Sequence, residues 1–89
     1  MIKSVRINIY GKVQGVGFRY SALQKANEMG IYGFVKNRAD GSVYIEADGE
    51  TEMLELFIIW LKRGPSISRV DEVKVNDIPF NNYKCFVVK

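Results

Sequence analysis

The stretch RINIYGKVQGVGFRYSALQKANEMG, Arg6 to Gly30, changes its hydrophobic period halfway along. Val5, Ile7 and Ile9 alternate with Arg6, Asn8 and Tyr10, and a period of two predicts a half-buried strand. From Phe18 the spacing becomes helical: Phe18, Ala22, Ala26 and Met29 share one face, with Leu23 beside them. Gly30 ends that helix, as a glycine that takes positive φ cheaply. Between strand and helix lies a glycine-rich loop, Gly11-Lys12-Val13-Gln14-Gly15-Val16-Gly17.

The rest of the chain continues the alternation of elements. Gly33 to Asn37 predicts a second strand, and Arg38-Ala39-Asp40-Gly41 a hairpin turn in which Asp-Gly is the strong signal. Val43, Ile45 and Ala47 predict a third strand, broken by Asp48-Gly49. Leu54, Phe57, Ile58 and Leu61 fall at i, i+3, i+4 and i+7, the clearest helix in the sequence. Lys62 and Arg63 complement its dipole, and Gly64-Pro65 stops it. Val70, Val73 and Val75 predict a fourth strand, Asn76 to Asn82 a loop, and Tyr83 to Val88 a short fifth strand. The order β-α-β-β-α-β plus a final strand is the ferredoxin-like split βαβ arrangement, an α+β fold. Right-handed crossovers then place both helices on one face of an antiparallel sheet. The other face is expected to carry Arg6, Asn8, Tyr10, Tyr44 and Glu46. No repeat, linker or low-complexity tract divides residues 1–89, so one domain is expected.

Composition narrows the chemistry. The 89 residues are 47% hydrophobic and 26% charged, which fits an ordinary globular domain. The net charge of +3 favours an anionic partner without demanding one. There is no histidine, which removes Ser-His-Asp and Cys-His catalysis and histidine-ligated metals. The single cysteine, Cys85, allows neither an internal disulfide nor a cysteine zinc site. The longest apolar run, Leu56 to Leu61, is too short to span a membrane. The N-terminus has no signal-peptide core, so a soluble cytoplasmic protein is expected. Any chemistry must rest on Arg, Lys, Asn, Asp, Glu, Tyr, hydroxyls or backbone N–H groups.

The glycine loop is the first place to look. Glycines let backbone N–H groups converge without Cβ obstruction, and the helix start adds unpaired donors and a positive dipole end. Arg19, in the first turn, can meet two oxygens of a tetrahedral anion at once. Taken on these residues alone, a tight turn beside a solvated arginine leads over an anion site. The loop lacks the Gly-Lys-Ser/Thr of a Walker A sequence, and Tyr20 stands where the third glycine of a dinucleotide fingerprint belongs. Asn37, at a strand end before a turn, is on its own most simply a structural cap.

Two longer patterns change that weighting. GKVQGVGFR at Gly11 to Arg19 resembles the signature of the acylphosphatase family. GFVKNRADGSV at Gly33 to Val43 resembles the family's second signature, Gly-x-Val-x-Asn-x-x-Asp-Gly-x-Val. WLKRGPSISRV from Trp60 to Val70 and the closing Phe86-Val87-Val88 are similar to the family as well, so the resemblance covers essentially the whole chain. Phe34 stands where many members have tryptophan, and Ser68 where alanine is common. The resemblance implies hydrolysis of the carboxyl–phosphate bond of a small acyl phosphate, giving a carboxylate and inorganic phosphate. It implies that Gln14, Gly15, Val16, Gly17, Phe18 and Arg19 hold the phosphoryl group and that Asn37 positions the attacking water. No metal and no cofactor are expected, and no nucleic-acid or membrane partner. The protein is expected to act as a monomer.

Such a mechanism suits a histidine-free chain. The leaving carboxylate belongs to an acid of pKa about 4, so no general acid is required. A loose phosphoryl transition state asks chiefly for positioning and charge stabilisation. Two other readings compete. An RNA recognition module shares the topology, but the third strand, SVYIEAD, carries Glu46, Asp48 and a single aromatic. A non-catalytic acylphosphatase-like domain would not need both Arg19 and Asn37.

Overall fold

The alternation around Ile7 extends further than its strongest residues. In the computed structural model, which describes all 89 residues, β1 runs Ile2–Lys12, α1 Phe18–Glu28, β2 Tyr32–Asn37, β3 Val43–Glu50, α2 Thr51–Arg63, β4 Arg69–Ile78 and β5 Phe86–Val88. The strands form one sheet in the order β4-β1-β3-β2-β5. This is the expected ferredoxin-like arrangement. The sheet is mixed where an antiparallel one was expected, because β5 joins β2 in parallel, with Gly33 opposite Phe86 and Val35 opposite Val88.

Three boundaries depart from the sequence reading, each for a local reason. Asp48-Gly49 does not break β3, which continues to Glu50 because both residues pair with β1. Asp48 is buried and hydrogen-bonded, and Gly49 packs so closely on Ile31 and Leu54 that a Cβ would come within 3.2 Å of Ile31. Asn76 to Ile78 belong to β4 and not to a loop, since Arg6, Val5 and Ser4 pair with them. That edge strand is exposed along most of its length, so no burial periodicity reveals it. Tyr83 to Cys85 precede β5, and the parallel pairing begins with Gly33 N–H donating to the Cys85 carbonyl at 2.8 Å.

One face of the sheet meets both helices. Val5, Ile7, Ile9, Val35, Val43, Ile45 and Ala47 pack against Phe18, Ala22, Ala26, Leu54, Phe57 and Leu61 in one buried cluster. Each buried Phe or Leu contributes about 1.5–3 kcal/mol of apolar transfer. Gly33 lets β2 lie close to β3: at φ 146° its missing Cβ would fall 1.8 Å from the Glu46 carbonyl oxygen.

The opposite face is not left bare. The segment between β4 and β5 crosses it as a strap. Tyr83 packs edge-on against Phe34 at 5.9 Å, and Phe34 and Tyr44 are only 7% and 8% exposed. The Tyr44 and Tyr83 hydroxyls donate to Glu46 at 2.7 and 2.8 Å. Asp48 accepts from the Ser4 hydroxyl and from Tyr83 N–H, the latter at 2.8 Å. Tyr44 and Glu46 therefore stand on the expected face, but covered. No helix of the protein is long and apolar enough to cross a membrane.

Candidate active site

The loop between β1 and α1 is pinned at both ends and tied in between through Gln14 and Val16. Val13 and Phe18 are each 1% exposed, and the Phe18 ring lies 6.3 Å from Trp60 of α2. Gly15 and Gly17 take φ of 74° and 75°, a left-handed conformation that other residues adopt at a penalty. These two turns aim the segment into α1, whose N-cap is Gly17.

No side chain caps that helix, and its first turn carries no acidic residue. The four orphan donors of a helix start and its positive dipole end are thus unopposed. No backbone N–H from Gln14 to Tyr20 finds an acceptor in the protein; the first bond of the helix is from Ser21 N–H to the Gly17 carbonyl, 3.1 Å. Every helix start leaves such donors, and here Gly15, Gly17 and Tyr20 are exposed, so the row is open to solvent and to any anion that enters.

Two side chains face the same space. Val13, Gly15, Gly17, Phe18, Arg19, Tyr20 and Asn37 line one cleft of about 240 Å³. Arg19 comes from the first turn of α1. Its Nη1 donates to the Lys89 carbonyl at 2.9 Å, which holds the guanidinium over the loop. Asn37 comes from the end of β2, opposite Val43 of β3. Its Oδ1 is the one fully buried side-chain polar atom in the protein with no hydrogen-bond partner.

The turn after Asn37 is rigid. Asp40 Oδ1 accepts from Ser42 N–H at 2.9 Å and from the Ser42 hydroxyl at 2.5 Å, and Arg38 N–H donates to the Ser42 carbonyl at 2.8 Å. The Ser42 hydroxyl first, and its N–H second, hold the Asp40 carboxyl below the usual carboxylate range. Gln14 touches this turn too: its Nε2 donates to the Arg38 carbonyl at 2.7 Å and to the Ser42 carbonyl at 2.9 Å. Both amide protons of Gln14 are thereby committed to the turn, and neither Gln14 nor Val16 lines the cleft. Val16 packs its side chain against the core.

The structure thus gathers Gly15, Gly17, Phe18, Arg19 and Asn37 around one space. The parts that the sequence did not signal are the Gln14 contact and the Lys89 carbonyl under Arg19. Asp40-Gly41-Ser42 carried a readable turn signal; a lone glutamine in a loop carries none. Two larger hollows lie elsewhere, one beside Trp60 and Arg63 and one between Tyr32, Asp48 and Phe80. Neither holds an unpartnered buried polar atom, so size does not mark the site here. No group of three metal-capable side chains stands together anywhere in the chain.

A split βαβ sheet with an open N–H row, an arginine and an unsatisfied carboxamide at one end is an α+β protein whose unpartnered polar groups gather at one cleft. The acylphosphatase family model matches residues 5–88. The chain is 54% identical over 69 residues to an acylphosphatase of Mannheimia succiniciproducens, covering 78% of this chain and 77% of that one. It is 42% identical over 88 residues to an acylphosphatase of Ligilactobacillus salivarius, covering 98% of each. The crystal structure of an acylphosphatase from Bacillus subtilis superposes with a TM-score of 0.95 at 36% identity, over 100% of this chain and 99% of that one. The chain belongs to the acylphosphatase family, a family of hydrolases.

Proposed function

We propose that this cleft hydrolyses small acyl phosphates, with the Gln14–Phe18 backbone and Arg19 holding the phosphoryl group and Asn37 orienting the attacking water. The observation that carries this reading is that Asn37, whose Oδ1 is buried and unpartnered, lines the same cleft as Arg19, Gly15 and Gly17. A carboxamide oxygen accepts a hydrogen bond from a neutral water and takes no proton from it.

The chemistry follows from that placement. Water attacks phosphorus, and the bond from phosphorus to the bridging oxygen breaks with its electron pair leaving on the carboxylate. One proton of the water passes to the product phosphate. Negative charge on the equatorial phosphoryl oxygens meets the guanidinium and backbone N–H groups, which need no reorganisation during the step. The leaving group is a weak base, so no acid has to protonate it. A phosphomonoester, with an alkoxide to expel, is a poor substrate for the same residues.

The competing nucleic-acid reading loses its platform. Phe34 and Tyr44 lie on the face where bases would stack, yet both are buried, and the Tyr83 strap packs on Phe34. The exposed single Cys85 fits the cytoplasm expected from the sequence. The test is hydrolysis of a stable acyl phosphate such as benzoyl phosphate, with and without a chelator and with inorganic phosphate added. Turnover that survives the chelator and competitive inhibition by phosphate are expected. Purely non-competitive inhibition overturns the phosphate site, and loss of activity with the chelator overturns the metal-free mechanism.

A further inference from the structure

Gln14 sits in the phosphate loop, but its side chain is turned to another purpose. We infer that Gln14 is a positioning residue that fixes the Asn37 carboxamide relative to the phosphoryl cradle. This rests on the reading of Asn37 as the group that orients water.

The sheet itself does not couple the two halves of the site directly. The loop follows β1 and Asn37 ends β2, and β3 lies between those strands. Gln14 spans the gap with one amide group, donating at 2.7 Å to the Arg38 carbonyl and at 2.9 Å to the Ser42 carbonyl. These two carbonyls bracket the turn that closes β2 on β3. Arg38 directly follows Asn37, and the Ser42 carbonyl already accepts the Arg38 N–H, so the glutamine is tied into the hairpin closure. Asp40 stiffens the same turn through Ser42. Asn37 Oδ1 has no partner of its own, so its aim depends on where the backbone is held. Misplacing a reacting group by about 1 Å costs roughly 10²-fold in rate, which is the scale on which such a brace matters.

The experiment is a double-mutant cycle on the full chain. Gln14→Met keeps the length and removes both donors; Gln14→Asn keeps the amide but is a methylene short, and serves if the first variant does not fold. Each is combined with Asn37→Ala, and kcat on benzoyl phosphate is measured beside the inhibition constant for inorganic phosphate. The expected result is a kcat about 10- to 100-fold lower in the Gln14 variant, with phosphate inhibition changed less than about three-fold. In the Asn37→Ala background the same substitution is expected to lower kcat by less than about two-fold. An equal fold-loss in both backgrounds, or phosphate affinity falling in step with kcat, overturns the inference and makes Gln14 a member of the cradle or a purely structural residue. Full turnover by Asn37→Ala alone overturns the water-orienting reading, and that arm is read without any Gln14 variant.

Discussion

The two ends of β3 are treated in opposite ways. Val43 and Asp48 stand five residues apart on the strand, roughly 16 Å. At the Asp48 end the polar groups are matched. The Asp48 carboxylate, 3% exposed, accepts from Ser4 and Tyr83, the Ser4 hydroxyl accepts from Asn81 N–H, and Glu46 takes the Tyr44 and Tyr83 hydroxyls. At the Val43 end the turn is matched through Asp40, Ser42 and Gln14, but the cleft beside Asn37 is not. A row of N–H donors is open, the helix is uncapped, and Asn37 Oδ1 is buried without a partner. Buried polar groups left unpaired reduce stability, so a chain keeps them where a ligand completes them. The contrast separates a structural polar cluster from a chemical one more sharply than charge or cavity size does.

Substitution at each end should test that contrast. The largest effect is expected at Arg19. Arg19→Lys keeps the charge but loses the two-pronged contact, and a rate loss of about 10²–10³ is expected, close to that of Arg19→Ala. Steady-state turnover of the folded variants measures it, and near-normal kcat in Arg19→Lys removes the arginine from its role. Next is Asn37→Ala. It should lower kcat by about 10²-fold while leaving phosphate inhibition nearly unchanged. A variant that loses phosphate affinity but turns over normally at saturation means the two roles are exchanged.

At the other end the order of effects reverses. Asp48→Ala leaves the Ser4 hydroxyl and Tyr83 N–H without their acceptor and should reduce stability by about 1–3 kcal/mol. Urea unfolding reads that loss, and kcat at permissive temperature should match the parent. Unchanged stability would mean the strap is not held by Asp48. The smallest effect is a titration. Burial, then the Glu46 contact, pushes the Tyr83 phenol up to about 12. A phenol raised above its unfolded value of about 10 favours the protonated folded state. Its stabilising contribution is intact below about pH 10 and is lost as pH rises through 12. Ultraviolet phenolate titration should show a late step near pH 12 that Tyr83→Phe removes. Complete ionisation of all tyrosines by about pH 11 contradicts the burial of that ring.

Much of this division was readable in the residues, and the unread part has physical causes. The loop glycines and the helical spacing from Phe18 point to a strand–loop–helix unit, because local conformation and periodicity are local properties, while the phosphate role of that loop and Arg19 comes only from the longer motifs. The longer motifs carried Asn37. The strap was invisible: Tyr83 packs on Phe34 through a contact 49 positions away in the chain, and no spacing rule encodes it. Asp48-Gly49 read as a break because their composition is that of a turn, and pairing with Ser4 and Lys3 of β1 overrode it. Gln14 carries no pattern of its own, since a glutamine is informative only once its two carbonyl partners are known.

The placement of β1 also governs how the chain reaches this state in time. That strand lies between β3 and β4, with Ile2 paired to Glu50 and Ser4 to Ile78. Its second ladder therefore waits for residues near the far end of the sequence. A ribosome must deliver residues up to Ile78 before β1 is flanked on both sides. Non-local ladders of this kind slow the search, because loop closure comes before the contacts that reward it. Refolding of such an α/β topology falls between the microsecond pace of helical bundles and the roughly second-scale pace of all-β barrels. Until β4 arrives, one edge of β1 is unpaired, and that edge is where a partly made chain is open to pairing with another.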